Sequence, residues 1–329
     1  MMVEEDRYDD RQFLKLFIIG GKKVKINYVM DERIEFFSSL LTVNDYWNFL
    51  AKKFWGKEMM SHPYKDDVIK FFSKFKTDDV FTVLENFCAS LNDFSVLLEI
   101  PFLISLNEID VPLKNETLEK LKQNESFEKL VVLMRDLYEK SNYNKFFSTL
   151  NKSQFDLSTE SKNNIEKDLE FLQSYTSIPL ESVDIYIAPL ILGNFLIPLF
   201  SSKISIAISP FDYQDRYVWG KPEEYILKSV IKKISDLEIE KIKNRLIEQQ
   251  EKFVCTIPYY NTTESIVANL LAKIILIRVK TLFYKEDADS LLKIEVQNFP
   301  GIKIYYEQLI KNEENGKFNL NCIDKVFLD

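Results

Sequence analysis

The chain holds one histidine, His62, in 329 residues. That count excludes any metal site or acid/base pair built on two histidines. Cysteine is nearly as scarce: Cys88, Cys255 and Cys322 are odd in number, far apart and without a C-x-x-C pair. They form neither a disulfide framework nor a zinc knuckle, and the usage fits a reducing, cytoplasmic setting. Free cysteines of this kind are expected to bury as small apolar residues. Only 7 glycines and 10 prolines punctuate the sequence, which suits long helices and few hairpins. G-x-S-x-G, G-x-G-x-x-G and G-x-x-x-x-G-K-[ST] are all missing, and with them the common nucleophile, dinucleotide and phosphate-loop signatures.

Positive charge is in deficit as well. Lys and Arg number 43 against 51 Asp and Glu, a formal net charge of -8 and a sequence pI of about 5.1. An acidic surface repels phosphate backbones, so nucleic acid is not an expected partner. The first ten residues include Glu4, Glu5, Asp6, Asp9 and Asp10. That is the reverse of a targeting segment, and none is expected.

Apolar side chains are plentiful. At 46% hydrophobic and 14% aromatic residues, the chain has enough to bury a large core. One apolar run, Val183 to Phe200, reaches the minimum length for a membrane span. Asp184, Pro189, Gly193, Asn194 and Pro198 interrupt it, however, and Gly193-Asn194 is a turn signal. The next run, Lys203 to Pro210, alternates polar and apolar residues with period two. Residues 182–210 are therefore predicted to form two or three strands joined by short turns, in a soluble protein with no membrane partner.

Elsewhere the pattern is helical. A short strand is expected at Lys22 to Tyr28. Asp31 to Leu41 carries an apolar stripe at Ile34, Phe37 and Leu41, and Asn44 or Asp45 caps a helix to about Phe54. Asp66 to Phe75 and Asp78 to Leu91 follow, with acidic first turns. Asn115 to Lys140 reads as one or two helices, and Ser158 or Thr159 caps another reaching Tyr175. Pro222 opens a run over 222–253, and Asn261-Thr-Thr-Glu264 resembles a capping box before an almost wholly apolar helix over 264–284. Helices at Asp287 to Asn298 and Ile302 to Asn312 close the chain. The expected fold class is α+β, predominantly helical with a small central sheet. It divides into a mostly helical region 1–150 and a region 151–329 that contains the sheet, or forms one continuous domain.

Chemistry has few places to sit. Ser61-His62-Pro63 reads as a loop histidine ahead of a helix. The paired carboxylates Asp66-Asp67, Asp78-Asp79, Glu223-Glu224 and Glu286-Asp287 fall at helix starts, where a solvated capping or dipole role accounts for them. Tyr46, Trp47, Phe49, Phe54 and Trp55 recur at helical spacing and read as core.

Four segments, in order, carry a family likeness. Met30-Asp-Glu-Arg-Ile-Glu-Phe-Phe37 matches a D-x-R-x-E-L pattern. Tyr64-Lys-Asp-Asp-Val-Ile-Lys-Phe-Phe-Ser-Lys-Phe-Lys76 matches Y-x-x-D-V-x-x-Y-F-x-x-Y-K. The apolar strand pair around Ala188 to Gly193 is the third, and Glu264-Ser-Ile-Val-Ala268 the fourth. Over residues 25 to 310 the chain thus resembles a bacterial zincin-like metallopeptidase family of unknown function with a short HExxH helix. The resemblance implies a zincin-like core, here in degenerate form. Where the family carries H-E-F-S-H, this chain reads Lys228-Ser229-Val230-Ile231-Lys232. Two histidines four apart would ligate zinc on one helical face, with the glutamate between them as general base. Lysines stand at both ligand positions and a serine at the base; only Glu264 survives, as the implied third ligand.

The same lysines have a bland account. At 100° per residue Ile226, Leu227, Val230, Ile231, Ile234 and Leu237 share one arc of the helix, and Lys228 and Lys232 fall outside it. One reading is a solvated lysine face; the other is an ammonium in the vacated metal site, paired with Glu264. Glu264 also fits a capping-box or first-turn carboxylate.

The resemblance implies a catalytically inactive protein with no metal and no other cofactor, retaining the fold to bind a peptide or protein partner. The residues alone leave two alternatives: a helical structural or interaction protein unrelated to metallopeptidases, and a metal-independent enzyme using carboxylates or some of the 16 tyrosines.

Overall fold

A computed structural model describes residues 24–55, 62–91, 97, 100–103, 121, 123–177, 180, 182–191, 194–196, 204–210, 224–228, 231 and 263–328. The chain divides into two compact units. One comprises Ile26–Thr159 and Val183–Ser229; the other comprises Met1–Lys25, Glu160–Ser182 and Val230–Asp329.

The first unit is built around one buried helix. Strand β1 (Lys25–Val29) leads into α1 (Glu32–Val43), whose N-cap Asp31 accepts from the Arg33 backbone N–H. The sequence predicts a stripe on α1, but Glu35 through Thr42 are all buried. The reason is that α2 (Tyr46–Trp55), α3 (Pro63–Phe72), α5 (Ile100–Leu103) and α7 (Tyr143–Thr149) all pack against α1. Helix α2 begins directly after Asp45, whose carbonyl accepts from the Phe49 N–H at 2.9 Å. Two further helices, α4 (Asp79–Ser90) and α6 (Glu125–Ser141), pair with each other. At the end of α6, Asn142 takes a left-handed turn (φ 53°), which Asn tolerates, and α7 starts at the next residue. Much of the predicted Asn115–Lys140 helical stretch before Glu125 lies outside the described residues.

Aromatic rings fill the centre of this unit. Phe36 meets Tyr138 edge-on at 5.2 Å and Tyr143 at 4.9 Å. Such edge contacts suit the ring quadrupoles and add to the area buried. Trp47 belongs to this core, as its helical spacing predicts, whereas Phe49 of the same helix is 53% exposed.

The described residues between 182 and 210 include three strands. They are β2 (Ser182–Ile187), β3 (Asn194–Leu196) and β4 (Ile204–Ile208), and with β1 they make a four-stranded sheet in the order β1-β2-β4-β3. β2 and β4 run parallel, with Val183 opposite Ile204 and Ile187 opposite Ile208; β3 is antiparallel to β4. Asn27 of β1 donates to Asp184 of β2 at 2.7 Å. Two expectations change here. Asn194 is the first residue of β3, Pro189 and Leu190 form a turn ahead of it, and Gly193 of the expected Gly193-Asn194 turn lies outside the described residues. The alternation in β4 does not give a wet face: all five of its residues are buried, Ser205 included, as in a sheet covered on both sides.

The second unit is centred on α9 (Thr263–Tyr284), a 22-residue helix close to the predicted limits. Val267, Ala268, Leu270, Leu271, Ala272, Ile274 and Ile275 are at most 1% exposed. Helices α10 (Ala288–Glu295) and α11 (Ile302–Lys311) pack on α9, and α12 (Ile323–Leu328) packs on α11. The same unit contains nearly all of α8 (Thr159–Thr176). Phe171 of α8 stacks on Phe283 of α9 at 4.2 Å, and Lys273 pairs with Glu295 at 3.0 Å. No helix among the described residues is long and apolar enough to cross a membrane.

Candidate functional site

The positions singled out by the resemblance are unevenly placed. Residues 224–228 and 231 of the expected 222–253 helix are described, and they are helical. Ser229, Lys232 and the remainder of that run lie outside the described residues. Glu264 belongs to the first turn of α9, and its side chain also lies outside them.

Lys228 is the informative member. Its ammonium sits 2.6 Å from Glu224 Oε1, one turn earlier on the same helix, and 4.6 Å from the centre of the Tyr225 ring. Both partners are buried, Lys228 at 5% and Glu224 at 4% exposure. The solvated-face expectation fails at Lys228, and the solvated-carboxylate expectation fails at Glu224. Their shared physical reason is mutual: each charge enters the interior because the other neutralises it. Ile226, Leu227 and Ile231 are fully buried, as the arc predicts, but the flank outside the arc is covered too.

A zinc ligand must give a lone pair. Lys228 spends its donor hydrogens on Glu224 and on a ring face, so this side chain does not fit that role. Among the described residues, no group of three or more His, Cys, Asp and Glu side chains is arranged to hold a metal ion.

His62 has a structural task. Its Nδ1 accepts from the Tyr64 backbone N–H at 3.1 Å, capping α3, and Pro63 occupies the first helical position. The helix thus begins three residues before the predicted Asp66; the Pro63 signal for a first helical position was there to be used. Accepting at Nδ1 needs the neutral ring, and burial holds the His62 pKa below its ordinary value against the pull of Asp66. Cys88 is buried, which pushes its thiol up to about 12 and away from nucleophilic use.

Residues from the first two family-like segments do meet, in the core of the first unit. Asp31 grips the Arg33 side chain with both oxygens, Oδ1 to Nε at 3.0 Å and Oδ2 to Nη2 at 2.7 Å. Two residues later Glu35 lies 3.0 Å from the Tyr64 hydroxyl through its Oε2, while its Oε1 has no hydrogen-bond partner. Tyr143 of α7 extends the group: its hydroxyl lies 3.0 Å from Ser39 Oγ. Burial pushes Glu35 up to about 8, with a smaller push from Asp31 and an opposing pull from Tyr64. Burial likewise raises Tyr64 and Tyr143 well above the usual phenol range. None of this cluster was singled out as a site from sequence. The available signal was a glutamate inside an otherwise apolar run, Ile34 to Phe37.

Comparison of the whole chain with protein-family models, with curated proteins and with solved structures gives no match.

Proposed function

We propose that this chain is a catalytically inactive zincin-like protein that binds a peptide or protein partner without cleaving it. One observation supports the inactive reading above the rest: the lysine at the first ligand position of the family motif is a buried partner of Glu224. Turning that position into a metal ligand requires breaking the buried ion pair with Glu224, which is unfavourable. The partner class rests on the family resemblance, since such a fold without its metal retains a surface shaped for polypeptide.

Metal analysis of dialysed protein tests the inactive half. The expected result is no stoichiometric zinc and no hydrolysis of a mixed peptide library. About one zinc per chain, lost on Glu264→Ala, would overturn it. The triple variant Lys228→His, Ser229→Glu, Lys232→His examines the fold assignment: with a zincin-like cleft it gains zinc affinity that depends on Glu264. A folded triple variant without that gain favours the unrelated helical protein. For the binding half, the purified chain is incubated with an immobilised peptide array; reproducible retention of a peptide subset, uncut by mass spectrometry, is expected, and uniform absence of retention counts against it.

A further inference from the structure

Glu35 is wholly enclosed, at 0% exposure. The carboxyl group is poorly provided with donors. Tyr64 donates to Oε2 at 3.0 Å, and Oε1 is buried with no hydrogen-bond partner. The other hydroxyl nearby is spent elsewhere: Ser39 Oγ donates to the Glu35 backbone carbonyl at 2.7 Å and lies 3.0 Å from the Tyr143 hydroxyl. An anion sealed in with a single donor keeps most of its desolvation cost, which the neutral acid avoids.

The neighbouring charges do not relieve an anion here. At the start of α1, Asp31 grips Arg33 with both oxygens, while Glu32 accepts from Tyr138 of α6 at 2.7 Å. α3 contributes Tyr64 and α7 contributes Tyr143. α5 carries no titratable side chain, and on α2 Lys52 and Lys53 are exposed, with Tyr46 the other titratable group.

We propose that Glu35 is a proton latch: α1, α3 and α7 close around it as a neutral acid, so folding of this unit takes up a proton. The direction of its titration agrees, since burial raises the folded group from 4.5 to about 8. A folded-state acid raised above its unfolded value contributes stability that is complete below about 4.5. That contribution is withdrawn as pH climbs to about 8 and is level beyond.

Denaturant unfolding of the full chain across this range, for the native sequence and Glu35→Gln, is the test. The amide keeps an acceptor for the Tyr64 hydroxyl but cannot titrate. The ratio of the two folding constants is expected to fall about tenfold per pH unit within the window, because one proton separates the states. The variant's other titrations, His62 included, cancel in that ratio. Parallel pH profiles would overturn the latch. Should Glu35→Gln fail to fold, the native chain decides alone. Infrared spectra at neutral pH should show a protonated carboxyl C=O band that moves in Tyr64→Phe, and calorimetry in buffers of different ionisation enthalpy should show proton uptake on refolding. Absence of both would overturn it equally.

Discussion

Arg278 and Glu313 meet fork to fork, Nε on Oε1 at 2.6 Å and Nη2 on Oε2 at 2.8 Å. Tyr175 donates to the same Oε1 at 2.7 Å, so one carboxylate ties α8, α9 and the segment after α11 together. The hydrogen bonds to Glu313 raise the Arg278 pKa further above its already high value.

Arg278→Ala is expected to cost roughly 2–3 kcal/mol, below the full cost of breaking a buried pair because the guanidinium is partly solvated. Arg278→Lys should recover only part of that, since a point ammonium cannot span both oxygens. Chemical denaturation of the three proteins measures the order. Equal stability of Arg278→Ala and the native chain would show the clamp to be idle.

Lys228 and Glu224 should behave as a unit. Lys228→Met removes the ammonium from a buried ion pair and is expected to destabilise by about 3–5 kcal/mol. The double variant with Glu224→Leu should be far milder than the sum of the singles. A purely additive cycle would contradict the observed pairing.

Leu271, fully buried in α9, is a test of how central that helix is. Leu271→Ala should cost about 2–5 kcal/mol in a reversible melt. A loss under about 1 kcal/mol would place it at the periphery.

His62 bears on acid stability with the opposite sign to Glu35. Its folded pKa is lowered, so its contribution is complete above 6.5 and is lost as pH falls through the lowered folded value. His62→Asn, which still caps α3, should stay near the native stability at neutral pH, whereas His62→Ala should lose about 1 kcal/mol. Urea unfolding at neutral pH and near pH 5 separates the cap from the titration.

Much of the fold was legible because periodicity reports burial directly. The limits of α4, α8, α9 and α11 fall within about two residues of those expected, and the strands appear where Asp184 and Pro189 break the apolar run. What periodicity cannot report is how many sides of a helix are covered. Counting angles assigns Lys228 to the flank away from the apolar arc, but whether that flank meets water depends on distant segments. Glu35 shows the same blindness: a first-turn carboxylate looks like a dipole partner until α3 and α7 close over it. Only the third dimension reveals that Tyr64 points its hydroxyl at Glu35.

The pairing of β1 with β2 sets a timetable for synthesis. Asn27 leaves the ribosome 157 residues ahead of Asp184, the side chain it bonds. Helices α1 to α7 all lie within that interval, and their mutual contacts close far shorter loops. They can collapse while translation continues, whereas β1 must wait as an unpaired strand until β2 emerges. A ribosome-bound chain halted near residue 190, with β2 still inside the exit tunnel, should already protect the amides of α1 and α6 from exchange and leave those of β1 open. The sheet is thus secured after α1 to α7, although its first strand is made before any of them.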